Sequence, residues 1–262
     1  MTGATRRRSG SGATIWGIAG PASCVIIITA CYLVGGTPSH TSLAAQRSPQ
    51  AEPVPTPTAS TPSPRPKRTA RTGTFPMRGS GTFTRATGST AIVGNGRLMR
   101  YIVVVEDGIG QNTQTFAHDV DRILAAPRGW TAGGLWSFKR VSSGPYDFVV
   151  NLASPVMVAK MCGEANPNVP SQVDCRSGQN VVINVLRWVL LTPPYKGQTS
   201  LYHALAVNHE VGHRLGHGHM ACPGAGMPAP VMQQQIFGLH GCVINGYPYN
   251  AQNRFISGPP AP

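Results

Sequence analysis

His209-Glu210-Val211-Gly212-His213-Arg214-Leu215-Gly216-His217-Gly218-His219 is the stretch from which the rest of the chain is read. It fits the spacing HExxHxxGxxH at every fixed position. On a helix of about 3.6 residues per turn, residues four apart share a face, so His209 and His213 can present imidazole nitrogens to one ion. Glu210 falls about 100° further round, beside such an ion rather than aimed at it. Gly216 lets the chain leave the helix in a backbone conformation that a side chain would resist, and the turn brings His219 back as a third ligand. Three neutral imidazoles with one open position describe a catalytic zinc (Zn2+) site better than a closed structural one.

The extended motif resembles that of the metzincin clan of zinc endopeptidases, whose signature adds a methionine-containing turn beneath the metal. Met227 in Gly226-Met227-Pro228 and Met232 in Pro230-Val231-Met232-Gln233 are the candidates. Met232 is preferred, because the Cys222-to-Cys242 stretch is similar to that of an actinobacterial family of envelope metzincin-like domains. The closer resemblance runs from about Tyr101 to Tyr247. It passes through Arg128-Gly129-Trp130, Asn184-Val185-Leu186-Arg187-Trp188, the histidine motif and Pro230-Val231-Met232-Gln233-Gln234-Gln235. The resemblance implies an α+β, zincin/metzincin-like fold with a mixed, twisted sheet behind the motif helix. It also implies substrate bound in extended form along an edge strand. Some clan members carry a tyrosine two residues after the methionine; counted from Met232 that position is Gln234 here.

Upstream, Arg6-Arg7-Arg8 closes a basic tail (1–14), and an uncharged apolar run follows (15–36). About 20 apolar residues span a bilayer core, and flanking arginines stay cytoplasmic, so the run reads as a single-pass anchor with the remainder outside. Two other readings stay open: a secretory signal cut near Ser42-Leu43-Ala44-Ala45, or a lipoprotein signal at Ile28-Thr29-Ala30-Cys31. The following Pro/Ser/Thr-rich stretch (37–74) holds too few large apolar residues to offset its ordering entropy and is expected to be a disordered stalk. Residues 75–262 are long enough for one domain with a sizeable core.

The formal net charge of +13 invites a nucleic-acid reading. Its distribution argues otherwise. The first 75 residues hold eight basic residues against Glu52 alone, and the C-terminal part has no Lys/Arg run. The charge suits an anchored domain meeting anionic envelope polymers, with no nucleic-acid partner. Gly108-Ile109-Gly110 lacks the further glycine of a dinucleotide fingerprint. Of six cysteines, Cys24 and Cys31 lie in the apolar run. Cys162, Cys175, Cys222 and Cys242 would face oxidising conditions, where three pairings could form; the nearest-neighbour one, Cys162–Cys175 with Cys222–Cys242, is preferred.

Arg100–Glu106 reads as a strand. Phe116, Val120, Ile123 and Leu124 fall at helical offsets, with Asp119, Asp121 and Arg122 opposite, and that helix should end before Pro127. Trp136–Val141 is a weaker strand, and Phe148, Val150 and Leu152 alternate as in a half-buried one. Val181–Trp188 reads as a further strand. The motif helix should run from about Ser200 to Leu215, with Leu201, Leu205 and Leu215 facing the core.

The expected function is an extracytoplasmic zinc endopeptidase, a monomer acting on peptide or protein substrates of the cell envelope. Glu210 would serve as general base toward water and then as acid toward the departing amine. A non-catalytic, zinc-stabilised envelope binding module is the alternative; it needs the histidines but not Glu210. His217 is expected to face solvent in the turn, and His118, His203 and His240 to be structural or exposed. Tyr247 and Tyr249 fit surface or packing roles. Specificity would rest on the wall from Gln233 to Phe237.

Overall fold

Ten consecutive residues rich in β-branched side chains make the central strand, and the other strands assemble on it. The computed structural model describes residues 76–163 and 171–261; the tail, apolar run and stalk expected over 1–74 lie outside the described residues. The strands are β1 (Phe83–Arg85), β2 (Val93–Gly94), β3 (Arg97–Glu106), β4 (Trp136–Arg140), β5 (Phe148–Ala153), β6 (Cys175–Ser177) and β7 (Asn180–Asn184). The helices are α1 (Thr113–Leu124), α2 (Pro155–Cys162), α3 (Val185–Leu190) and α4 (Thr199–Arg214). Among the described residues no helix is long and apolar enough to cross a membrane.

The sheet is mixed, in the order β2-β4-β3-β5-β7-β6, with β1 also on β3. Strands β4, β3, β5 and β7 are mutually parallel. The ends are antiparallel, β2 on β4 and β6 on β7. Parallel strands are covered on both faces and lose their polar/apolar alternation. Strand β5 follows that rule: Phe148, Val150 and Leu152 are buried as expected, but Asn151 and Ala153 on its other face are buried too.

Period-2 alternation divides the core. Tyr101, Val103, Val105, Phe148, Val150, Leu152, Val181 and Ile183 point to the face that carries α1 and α4. Ala153 and Val182 point the other way, against Val158 of α2. Phe116, Val120, Ile123 and Leu124 of α1 are fully buried, and the helix stops at the Ala125 cap, before Pro127.

Two expectations need correction. Val181–Trp188 is not one strand: β7 ends at Asn184, whose side chain accepts from the Leu186 N–H and starts α3. An asparagine cap satisfies a free helical N–H, and this outweighs the β-branched composition of the segment. Asp121 does not face solvent. Its carboxylate accepts from the Tyr101 hydroxyl at 2.8 Å and from Arg140 Nε at 2.9 and 3.1 Å, tying α1 to the sheet. On α4, Leu205 is buried and Leu201 and Leu215, partly buried, pack against the same core, as expected. The helix buries most of its circumference, including the polar His203, Asn208 and Glu210.

Arg140 is 4 % exposed, so removing its acid strands a charge inside the protein. Asp121→Ala is therefore expected to lower unfolding free energy by about 3 kcal/mol, measured by denaturant titration at pH 7. A loss below about 0.5 kcal/mol would mean that the pair behaves as an ordinary surface ion pair.

Candidate metal centre

The C-terminal end of α4 builds the site. Leu215 caps the helix and Gly216 takes φ +99°. The His217 N–H then donates to Gly212 O at 3.0 Å and the Gly216 N–H to His213 O at 3.2 Å. These are the two bonds of a Schellman turn, which needs a left-handed residue at Gly216. Beyond the turn the chain is pinned again: the Met220 N–H donates to Met232 O and the Ala261 N–H to His219 O, both at 3.1 Å. The side chain of His219 is thereby returned to the helix.

His209, His213 and His219 form a cluster whose candidate ligand atoms lie within 4.8 Å of one another. His213 Nε2 is 3.2 Å from His209 Nε2 and 3.1 Å from His219 Nε2. His209 Nδ1 is 2.8 Å from Val231 O, and His213 Nδ1 is 2.9 Å from His217 O. A carbonyl oxygen only accepts, so both Nδ1 atoms carry the proton and both Nε2 atoms present lone pairs. Lone pairs facing each other at 3.2 Å repel unless a cation lies between them. Nitrogens at about 2.05 Å from a tetrahedral ion would be about 3.3 Å apart. The three imidazoles fit a divalent ion.

Burial, and then the neighbouring His213, holds the His209 imidazole far below its ordinary range, to about 3. Burial likewise lowers His213. Both rings are therefore neutral at pH 7, as metal ligation requires.

Glu210 is 5 % exposed, and its Oε2 has no hydrogen-bond partner among the described residues. Burial, and then the charge of Asp174, raises its pKa well above the carboxylate range. It lines a cleft of about 450 Å³ together with the three histidines.

Of the two methionines, Met232 is fully buried and Met227 is 52 % exposed. A Cβ on Gly212 would lie 2.3 Å from Met232 Sδ and 2.7 Å from Trp130 Cζ2. The glycine between the two helical ligands thus lets the methionine and the indole press against the helix. Trp130 Nε1–H donates to Asn208 O at 3.0 Å, and Asn208 Nδ2 donates to Gly246 O at 2.9 Å. The neighbouring Arg128 donates through Nε to Tyr249 O at 3.0 Å and covers the Tyr247 ring. Neither tyrosine lines the cleft.

His217 does not simply face solvent: its ring stacks on Trp130 at 4.5 Å, and its carbonyl orients His213. His203 is buried, stacked on Trp188 with Nε2 2.9 Å from Trp188 O. His118 and His240 are exposed. Arg214 donates through Nη2 to Asp147 O at 2.8 Å, bracing the helix end.

The two disulfides are Cys162–Cys175 and Cys222–Cys242. The first joins α2 to β6, and Cys175 also lines the cleft. The second closes the loop that carries Met232. Residues 233–237 line the cleft as expected, with Gln234 exposed. Sequence reading missed Tyr202, Asp174 and Arg176, which also line it. Tyr202 sits seven residues before His209 on the same helix face, so its spacing was a usable signal. Asp174 and Arg176 reach the cleft only through the pairing of β6 with β7, which leaves no local mark.

A family model described as Protein of unknown function (DUF3152) matches residues 69–250. The chain belongs to the DUF3152 family. The matched span contains all three histidines, Glu210, Met232 and both disulfides. No curated protein and no solved structure matches the chain.

Two outcomes follow for this DUF3152 domain. Gly212→Ala should destabilise it by about 1–3 kcal/mol, because neither Trp130 nor Met232 can retreat freely from a packed core. Chelator-treated protein keeps that measurement independent of metal. Burial pushes the Asp174 carboxyl up to about 7, against the opposing pull of the Asn184 N–H and Arg187. An acid raised above its unfolded value of about 3.9 favours folding at low pH and loses that contribution as pH rises toward 7. Asp174→Asn should therefore gain melting temperature relative to the parent between pH 4.5 and 7.5. A constant difference across that range would contradict the shift.

Proposed function

We propose that this chain is a zinc-dependent endopeptidase of metzincin type, acting outside the cytoplasm on peptide bonds of envelope or secreted proteins. One observation carries the reading: the lone pairs of His209 and His213 converge with His219 beside a buried carboxylate, Glu210, whose Oε2 has no partner among the described residues. A module that uses metal only for stability has no need to bury an unpaired acid next to it, since that costs free energy.

When bound, zinc supplies Lewis acidity toward a peptide carbonyl and lowers the pKa of water toward neutrality. The protein's own groups do the rest. Glu210 Oε2 takes a proton from the attacking water and returns it to the amine nitrogen as the carbon–nitrogen bond breaks. Val231 O and His217 O hold the imidazoles in the ligating tautomer, and Met232 fixes the floor beneath them. Strand β6 is an end strand of the sheet, and Cys175 and Arg176 on it line the cleft. An extended substrate pairs with that edge.

Two disulfides in the domain agree with an oxidising, extracytoplasmic location. Residues 15–36 supply either a membrane anchor or a signal removed on export.

The test is full-length protein loaded with zinc and offered a peptide library. Cleavage is expected, abolished by chelator and restored by zinc. Glu210→Gln should keep its zinc, measured by metal analysis, while kcat/KM falls by about 10³-fold. Stoichiometric zinc without any cleavage would favour the binding-module reading instead.

A further inference from the structure

The cleft that the histidines line is a recess with other wall atoms mismatched in a consistent sense. Tyr202 is fully buried, and its hydroxyl has no partner among the described residues. Gln233 is 3 % exposed; its Nε2 donates to Gly238 O at 3.1 Å and to Leu239 O at 3.0 Å. Those two carbonyls fix the amide orientation and leave its Oε1 unpartnered. Asp174 accepts the Asn184 N–H at 2.7 Å through Oδ1, and among the described residues it has no ion pair within 4.0 Å. Leu205, Ala206 and Ile236 add apolar lining to the same cleft.

Counting donors and acceptors gives the complement. Gln233 Oε1 and the Asp174 carboxylate only accept, and the Tyr202 hydroxyl can donate or accept. A ligand that satisfies them must bring N–H donors at the end of an apolar stem. Asp174 further favours a positive charge, since burying an unmatched carboxylate is unfavourable and an incoming cation relieves it. Asp174, Tyr202 and Glu210 all line the same cleft. Arg176 is exposed, and Arg187, held by Gln172 O at 2.6 Å, acts on Asp174 without pairing with it within 4.0 Å.

We propose that this recess is a specificity pocket for a lysine or arginine side chain of the substrate, with Asp174 as its charge partner and Tyr202 and Gln233 as further hydrogen-bonding groups. The four-carbon stem of lysine lies along Leu205, Ala206 and Ile236, and its ammonium reaches the acceptors. The assignment rests on the peptidase reading for its substrate class, but the pocket's preference can be measured without turnover.

Two arms separate the possibilities, both on full-length protein. In the first, cleavage of a peptide library by the zinc-loaded parent is sequenced. Lysine or arginine should exceed leucine by at least tenfold at one position next to the cut bond, and Asp174→Asn should reduce that ratio at least tenfold. In the second, N-acetyl-lysine methylamide, its norleucine counterpart and its glutamate counterpart are compared by equilibrium binding. Lysine should bind at least tenfold tighter than norleucine in the parent, and the ratio should fall to near one in Asp174→Asn. Lysine selectivity in binding without any cleavage would sink the peptidase reading and keep the pocket. Cleavage with no basic preference, or glutamate bound best, overturns the pocket. A lysine preference that survives in Asp174→Asn overturns the role of Asp174. Should that variant fail to fold, the parent's own preference in either arm still decides whether a basic side chain is selected.

Discussion

Two imidazole-to-carbonyl hydrogen bonds govern the site. His209 Nδ1–H to Val231 O and His213 Nδ1–H to His217 O commit the protons to one side of each ring and turn both lone pairs inward. The accepting carbonyls come from different places. His217 belongs to the Schellman turn that ends α4, and Val231 precedes Met232 in the loop closed by Cys222–Cys242. Geometry at the imidazole cluster is thus coupled to the helix stop and to a disulfide-bounded loop. A disturbance at either would release a ring to flip and turn its lone pair away from the cluster, even though all three histidines remain.

The support beneath this arrangement is tightly packed. Gly212 removes the side chain that would otherwise separate α4 from Met232 and Trp130. Trp130 serves twice, donating to Asn208 O and stacking on His217, whose carbonyl in turn holds His213. Arg128-Gly129-Trp130, Asn184–Trp188 and the Pro230–Gln235 segment, distant in sequence, all contribute to the surroundings of one helix. Trp130 braces its C-terminal half, Arg128 holds the Tyr249 carbonyl, Trp188 stacks on His203 of the helix, and Gln233 and Gln235 line the cleft beside it. Precision at the ligands depends on such second contacts rather than on the ligands alone.

Much of the fold was legible because its signals are local. The apolar offsets of α1 and the β-branched run of β3 mark their elements without reference to anything distant. Val181–Trp188 was misread for an equally local reason: a β-branched strand end and a helix start adjoin within one apolar segment, and the Asn184 cap marks the boundary. Asp121 was misplaced for a different one. On the helix it falls opposite the apolar stripe, yet Tyr101 and Arg140 reach it from the sheet.

By itself the sequence determined the grouping of the three histidines, the glycine turn and the position of Glu210, since helical periodicity and a left-handed residue operate within a dozen positions. Tertiary structure decided which methionine lies under the helix, which cysteines pair, and that Asp174 meets Tyr202 beside the histidines. Those outcomes depend on β6 pairing with β7 and on a loop folding back across α4. Contacts of that kind are selected by burial and strand register over long separations, and no nearby residue announces them.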